Sequence, residues 1–206
     1  MSNTPKYILS FTALSLRLNE MVKVAKTFVE NDISDLKEVR ESRVVFNSVK
    51  TKTSNTEFLE IRKRLEKLTS DQMQVLAHGD LISQKQVAFL AVCKYYDFIR
   101  DFTIDVIRDK SLVYDYHINE SDYKSFINNR VHEHPELEEF NDSTLKKAKQ
   151  VLFRILEQAG IIDNAVDKTI QPQIIQSDVF GAVAEDDPAW LKIFMMSDKD
   201  IKQLKN

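Results

Sequence analysis

The sequence predicts an all-α protein, a compact multi-helix bundle with at most one short β-hairpin. Its 206 residues include only 3 Gly and 4 Pro, the residue types on which sheets and long loops depend most. Apolar residues make up 43% of the chain, which is enough for a core, and most of them recur at helical spacing. We expect residues 1–80 and 81–206 to form two helical subdomains that pack as one globular unit.

Composition also bears on location. The single cysteine, Cys93, excludes an internal disulfide and fits a reducing compartment, and its apolar neighbours predict an inert core position. The longest apolar run falls far short of the roughly 20 residues that a membrane-spanning helix needs. Met1 to Lys6 lacks a signal-peptide pattern. We therefore expect a soluble, cytoplasmic protein with no membrane partner.

The first half of the chain begins with two predicted helices. Phe11 to Glu30 carries apolar residues on one side, as an amphipathic helix does. Asp32 or Ser34 is placed to cap a second helix, which extends to about Phe46.

Residues 34–68 predict a helix-turn-helix-like segment. A basic polar connection follows the second helix, and Ser54-Asn55-Thr56-Glu57 then has the spacing of a capping box. We expect the helix that this box begins to place its basic residues largely outward: Arg62, Lys63, Arg64 and Lys67.

Local capping signals and one break predict the helices of the middle of the chain. A capping box at Thr69-Ser70-Asp71-Gln72 predicts a short helix that ends at His78-Gly79-Asp80. A second box, at Ser83 to Gln86, predicts a long buried helical region, which is split near Tyr96-Asp97. Asn119 then predicts the cap of a helix from Glu120 to about His132. Asp187-Pro188 predicts the start of a last short helix.

The segment that follows residue 141 predicts a winged-helix-like element. Asp142 or Ser143 can cap a helix that Gly160 closes in the left-handed conformation. Two short apolar stretches then flank a polar turn and can pair as a two-stranded wing: Ile161-Ile162-Asp163 and Thr169-Ile170-Gln171.

The exposed face of this helix is basic. It carries one acid, Glu157, against four cations: Lys146, Lys147, Lys149 and Arg154. Such a helix can contact a nucleic-acid duplex, although a basic face is also typical of ordinary solvated surface.

Charge is distributed unevenly around the formal net charge of −3. From Asp35 to Leu68 there are nine Lys or Arg and six Asp or Glu, whereas from Asp101 to Asp142 there are four basic and eleven acidic residues. Affinity for DNA depends on local neutralisation of phosphates, so the negative sum does not exclude DNA as a partner. The acidic section is expected to face away from DNA or toward a protein.

Nothing in the chain predicts an enzyme. The closest histidine pair, His132-Glu133-His134, has no further Cys or His nearby to complete a metal site. There is no glycine-rich phosphate loop and no nucleophile-elbow serine. We expect no catalytic residues, no metal, no cofactor and no small-molecule substrate.

Six segments stand out by their order and spacing: Tyr7-Ile8-Leu9-Ser10-Phe11-Thr12, Glu57 to Leu68, Tyr96-Asp97-Phe98, Asp122-Tyr123, Ser143-Thr144-Leu145-Lys146-Lys147 and Ile155-Leu156-Glu157-Gln158-Ala159-Gly160. Together they resemble the BrxA family, the small NusB-like proteins of BREX bacteriophage-defence systems. None of them is a catalytic motif. The resemblance implies an all-helical, cytosolic, non-enzymatic component of a system that methylates host DNA and blocks phage replication. It also implies a nucleic-acid ligand.

We predict that the protein binds double-stranded DNA through backbone phosphates, with little sequence preference. The predicted contacts are Lys146, Lys147, Lys149 and Arg154, with Ser143 and Thr144 at the helix start, and a second basic surface of Arg40, Arg43, Lys50, Lys52, Arg62 and Lys63. Two alternatives stay open. One is an adaptor whose acidic section docks a larger BREX protein, and the other is RNA binding in the manner of an antitermination protein.

Overall fold

The computed structural model describes residues 5–33, 35–39 and 52–204, with the backbone alone for residues 52–54. The structure is 70% helical, with twelve α-helices and no β-strand among the described residues, which confirms the predicted all-α class. The described helices include none that is long and apolar enough to cross a membrane.

The α-helices are numbered in chain order. They are α1 (Leu18–Glu30), α2 (Leu36–Val39), α3 (Lys52–Leu65), α4 (Ser70–His78), α5 (Leu81–Tyr95), α6 (Asp97–Phe102), α7 (Asp109–Leu112), α8 (Glu120–Arg130), α9 (Glu136–Glu139), α10 (Asp142–Ala159), α11 (Ser177–Asp186) and α12 (Asp198–Gln203). Two 3-10 segments, Ser10–Ala13 and Pro188–Phe194, and one π-helical segment, Thr103–Arg108, complete the helical structure of the described chain.

The chain forms two compact units, and each is assembled from separate stretches of sequence. The α5 unit contains residues 16–95 and 175–190, and the α10 unit contains residues 1–15, 96–174 and 191–206. The subdomain boundary expected after residue 80 therefore falls inside the α5 unit.

In the α5 unit, helix α4 packs against α1, α5 and α11. The middle of α5 is fully buried from Val87 to Cys93, as its apolar run predicts. The capping box at the start of α4 is confirmed, because Thr69 Oγ1 accepts from the amide of Gln72 (3.3 Å) while the Gln72 side chain accepts from the amide of Thr69 (3.2 Å).

Helix α1 begins at Leu18, so the prediction of a helix from Phe11 was wrong in its start. Arg17, immediately before it, adopts a left-handed conformation with φ of 57°. Phe11 lies in the α10 unit, where its ring centroid is 5.4 Å from that of Tyr96 and 5.8 Å from that of Phe98. Residues 10–13 form the first 3-10 segment, and the apolar residues before Leu18 therefore pack outside α1.

Asp35 caps the start of α2, so the prediction of Asp32 as its cap was wrong. The carboxylate of Asp35 accepts from the amide of Lys37 (2.8 Å), and its carbonyl accepts from the amide of Glu38 (2.9 Å). Ser34 and residues 40–51 lie outside the described residues, so the turn of the expected helix-turn-helix stays a prediction.

Two predicted capping boxes of the α5 unit serve other purposes. Helix α3 already begins at Lys52, and Glu57, the expected box acid, forms an ion pair with Arg17. At the start of α5 the cap is Asp80, whose carboxylate accepts from the amide of Ser83 (2.8 Å). The hydroxyl of Ser83, the expected cap of α5, donates instead to Asp178 (2.9 Å). In both cases a partner distant in sequence engages the side chain that the local pattern had assigned to the helix end.

Arg64 points into the α5 unit, which contradicts the expectation that it faces outward. Its exposed fraction is 0%, and its Nη1 donates to the carbonyl oxygen of Leu16 at 3.2 Å. A buried guanidinium needs such acceptors because its desolvation is costly.

The core of the α10 unit is aromatic. Phe102 makes edge-to-face contacts with Phe126 and Phe153, at centroid separations of 5.2 Å and 5.8 Å, a geometry that adds to the apolar burial. The predicted split near Tyr96-Asp97 is confirmed, because Tyr96 adopts an extended conformation between α5 and α6. Asn119 precedes α8 as predicted, and its amide donates to Asp122 (2.7 Å).

Helix α10 begins at Asp142, but neither Asp142 nor Ser143 caps it. Asn141 is the cap, since its Oδ1 accepts from the amide of Thr144 at 2.8 Å. Gly160 closes the helix with φ of 77°, as predicted.

The two stretches expected to form the wing do pair, but only through an isolated antiparallel bridge between Ile162 and Ile170. Around it, the amide of Asp163 donates to Thr169 (3.0 Å) and that of Gln171 donates to Ile161 (2.9 Å). We call residues 161–171 the wing.

Candidate nucleic-acid interface

The candidate interface is the solvent-facing strip of α10. Ala148, Leu152 and Ile155 are fully buried and anchor the opposite side of the helix in the core of the α10 unit. Successive residues turn by about 100°, so this anchoring fixes which side chains point to solvent. We call them the α10 strip: Ser143, Lys146, Lys147, Gln150, Arg154 and Glu157.

Three of the predicted cations lie on the α10 strip. Lys146 and Lys147 are exposed, and Lys147 Nζ donates to Gln150 at 3.2 Å. Arg154 has 61% of its side-chain surface exposed and makes a loose ion pair with Glu157 at 3.4 Å. Water screens this pair, so Arg154 can exchange its partner at small cost.

Lys149 was predicted on the same face but lies on its edge and is engaged. Its ammonium forms an ion pair with Glu120 of α8 and lies 5.4 Å from the ring centroid of Tyr123. Glu120 also attracts Lys168 of the wing, at 3.7 Å. The hydrogen bond from Lys149, with the charge of Lys168, lowers the pKa of Glu120. Glu120 therefore stays ionised and neutralises cations on both elements.

The start of α10 offers fewer donors than the sequence predicts. The Ser143 hydroxyl donates to Asn141 Oδ1 (2.6 Å), and the amide of Thr144 donates to the same atom (2.8 Å). Asn141 thus accepts one hydrogen bond from each of the two residues that were predicted to contact phosphate.

The wing bears acids at its turn. Asp163 accepts from the amides of Asn164 (2.6 Å) and Thr169 (2.8 Å), and Asp167 is exposed beside it. Lys168, the basic residue of the wing, has its ammonium 5.4 Å from the ring centroid of Phe153. The turn therefore presents carboxylates, which repel a phosphate backbone, and α10 is the basic part of this element.

The second predicted basic surface lies in the α5 unit and is only partly described. Arg62 pairs with Glu66 at 3.2 Å, and Lys63 pairs with Glu60 at 2.9 Å. Arg40, Arg43 and Lys50 lie outside the described residues, and of Lys52 only the helical backbone is described. Of this predicted surface, the described side chains are Arg62 and Lys63, and each lies beside an acid of its own helix.

The acidic section from Asp101 to Asp142 is not one exposed face. Arg130 pairs with Asp105 and with Glu133 (3.0 Å), and these three residues border a cavity of about 400 Å³ beside α8. Burial raises the pKa of Asp105 by more than the hydrogen bond and charge of Arg130 lower it, so the net shift is upward. Lys110 engages Asp122 in the same way, at 3.2 Å.

Tyr7 lies at the centre of a buried cluster that no pattern in the sequence predicts. Its ring stacks on His134 with centroids 3.6 Å apart, its hydroxyl donates to Asp101 (2.8 Å), and its amide donates to Glu136 (2.6 Å). Burial, and then the charge of Asp101, raise the pKa of Tyr7. Burial favours the neutral form of Glu136, but the hydrogen bonds from the Tyr7 amide and from His134 prevail and lower its pKa.

His134 of the histidine pair therefore has a packing role. Its Nδ1 lies 3.1 Å from Glu136, whereas His132 is exposed. Across the described part of the chain, no three His, Cys, Asp or Glu side chains are grouped so that they could hold a metal ion.

Comparison with known proteins identifies the family. A model of the BrxA family matches residues 5–187. BREX protein BrxA of Bacillus cereus (strain H3081.97) is 26% identical over 146 residues, which cover 69% of this chain and 73% of that protein. BREX protein BrxA of Escherichia coli O9:H4 (strain HS) is 26% identical over 111 residues, 54% of this chain, and the match spans only about half (52%) of that relative.

A solved structure shares the fold. The crystal structure of an uncharacterized protein from Magnetospirillum magneticum superposes with a TM-score of 0.77 at 20% identity, over 93% of this chain and 99% of that one. The family match extends over most of the sequence, so the chain belongs to the BrxA family.

Proposed function

We propose that this chain is a non-enzymatic component of a BREX phage-defence system that binds double-stranded DNA through the phosphate backbone. Family membership supports the defence role, since both curated relatives are BREX proteins. The observation that carries the DNA-binding role is the α10 strip. For a defence protein of bacteria, in which the DNA lies in the cytoplasm, this role implies a cytoplasmic location.

The cations of the α10 strip suit phosphate contacts. Lys147 and Arg154 are seven residues apart, which places them about two helical turns, or ~10 Å, from each other along α10. Lys146 adds a third positive charge to the same strip, and only Glu157 opposes them there. Long, mobile cations of this kind bind phosphate oxygens without reading bases. We therefore expect affinity with little sequence preference.

The number of contacts sets the salt dependence. Each phosphate that a lysine or arginine neutralises contributes about −0.9 to the slope of log K against log salt concentration. Contacts from Lys146, Lys147 and Arg154 together give a slope of roughly −2.7.

The test is fluorescence anisotropy with a labelled duplex at several salt concentrations. The double variant Lys146→Glu with Lys147→Glu should weaken binding to unrelated sequences equally and make the slope shallower by about 1.8, because two contacts are lost. Both side chains are exposed, so the thermal midpoint should change little.

The matched control is Lys199→Glu with Lys202→Glu. Both lysines are exposed on α12, in the same unit, and the substitutions change the net charge by the same amount. If this control weakens binding as strongly as the α10 variant, the effect is one of net charge and the assignment to α10 is wrong. Competition by structured RNA that exceeds competition by duplex DNA would instead favour RNA as the ligand.

A further inference from the structure

The turn after α7 exposes a run of large apolar side chains. We call Leu112, Val113, Tyr114 and Tyr116 the 112–116 patch. Val113 is 72% exposed and Tyr114 is 82% exposed, and Leu112 and Tyr116 are exposed beside them. Single exposed apolar residues are ordinary, but a contiguous group on a protein surface is typical of an interaction site.

The backbone at Tyr114 is unusual for its residue type. The amide of Tyr114 donates to Ser111 (3.1 Å) and that of Asp115 donates to Lys110 (2.9 Å), the two bonds of a Schellman motif at the end of α7. The position that normally holds glycine in this motif is held by Tyr114, with φ of 62°. Any side chain is disfavoured in this conformation. Because the Tyr114 ring is exposed, its packing within the chain offsets little of that conformational cost.

The patch is held in place by its neighbours. Lys110 Nζ bonds Asp115 (2.6 Å), and the carbonyl of Tyr116 accepts from the amide of Ile170 in the wing (2.7 Å). The amide of Ile118 donates in turn to Lys168 (3.2 Å). The exposed rings are thus carried by a turn fixed at both ends, which lowers the entropy lost when a partner binds.

The charges around the patch indicate what kind of partner fits. Asp109 and Asp115 flank it, with 65% and 53% of their side chains exposed. The two Lys or Arg residues between positions 105 and 122, Arg108 and Lys110, are largely buried against acids. Phosphate is repelled by such a surface, whereas lysine or arginine is attracted.

We propose that the 112–116 patch is a docking site for a basic, apolar segment of another protein of the same BREX system. Lysine or arginine side chains of that segment would approach Asp109 and Asp115, and its large apolar side chains would cover Tyr114 and Val113. This surface is distinct from the α10 strip, and the proposal rests on the BREX role but not on DNA binding.

The experiment measures binding of the full chain to each of the other proteins of its own BREX system, purified one at a time, by biolayer interferometry. One of them should bind, and Tyr114→Gly should weaken that binding at least tenfold. The same substitution should raise the thermal midpoint, because glycine accepts the left-handed conformation. Weaker binding therefore cannot come from unfolding. Asp109→Lys should also weaken binding.

The matched control is Val166→Ala. Val166 is 81% exposed at the turn of the wing but lies outside the patch, and its truncation should leave binding unchanged. The proposal is overturned if none of the BREX proteins binds, if Tyr114→Gly binds as wild type does, or if the patch instead mediates self-association that Tyr114→Gly abolishes. A parallel loss of duplex-DNA affinity in Tyr114→Gly would assign the patch to DNA and would overturn it too.

Discussion

Replacing Glu120 by glutamine should strengthen DNA binding and make it more sensitive to salt. Glu120 pairs with both Lys149 of α10 and Lys168 of the wing. Glutamine keeps the size of the side chain and removes the charge that holds the two ammonium groups. Lys149 lies at the edge of the α10 strip, and Lys168 shares its acid partner, so we expect both to become available to phosphate.

The expected size of the effect follows from the number of cations released. Two additional phosphate contacts steepen the slope of log K against log salt concentration by up to about 1.8. When salt is lowered from ~200 mM to ~50 mM, the ratio of variant to wild-type affinity should therefore grow by about 12-fold. The lost pairs are at the surface, so the free energy of unfolding should fall by less than about 1 kcal/mol.

The assay is again duplex-DNA anisotropy across a salt series, with Glu139→Gln as control. Glu139 is exposed on α9 in the same unit, and its substitution removes the same charge. An unchanged slope in Glu120→Gln would refute the reasoning, because it would mean that Lys149 and Lys168 do not reach phosphate. The same gain in both variants would reduce the effect to net charge.

Two further predictions concern stability. Hydrogen bonds from Lys192 and from the buried Arg108 lower the pKa of Asp198 from 3.8 to about 2. This pairing therefore stabilises the fold fully above pH 4, and the stabilisation is lost as the pH falls through 2. Urea unfolding should show Asp198→Asn less stable than wild type at pH 7, with a difference that shrinks steadily from pH 4 to pH 2. In the same assay, Gly79→Ala should destabilise the fold, because the added Cβ would lie 2.6 Å from the carbonyl oxygen of Val75. Gly181→Ala, inside α11, should stabilise the fold by about 0.5–1 kcal/mol, because its Cβ would meet no atom within 4 Å. Equal effects of the two alanines would contradict this account.

The features that could be predicted from the sequence are those that depend on near neighbours. The capping box at Thr69, the position of Asn119 before α8 and the glycine closure of α10 all involve residues within a few positions of each other. The all-α class could also be predicted, because it follows from the low glycine and proline content and needs no knowledge of distant contacts. At the start of α10, Asn141, Asp142 and Ser143 are all competent caps, and the geometry of the chain that enters the helix selects the first.

The errors came from partners distant in sequence. Arg64 points inward because the carbonyl of Leu16, 48 residues away, accepts from it, and no helical periodicity contains that information. Lys149 was expected to be free because its partner, Glu120, lies 29 residues earlier on another helix. The basic face was therefore predicted correctly in position but overestimated in charge.

No pattern in the sequence predicted the exposed turn that carries the 112–116 patch. Turns are found through glycine, asparagine and aspartate, and here tyrosine occupies the left-handed position. Only the backbone dihedral, together with the exposure of the ring, reveals that the residue is unusual.

The interleaving of the two units has a consequence for biosynthesis. A ribosome delivers residues 16–95 early, but the segment 175–190 that belongs with them emerges only after the whole of 96–174 has been made. Residues 1–15, made before both, must wait for the α10 unit to which they belong. Domains generally fold as units during synthesis, and here the α5 unit stays incomplete until residues 175–190 have been made. While residues 96–174 are being translated, the apolar surface that 175–190 will cover is therefore expected to be open to chaperones.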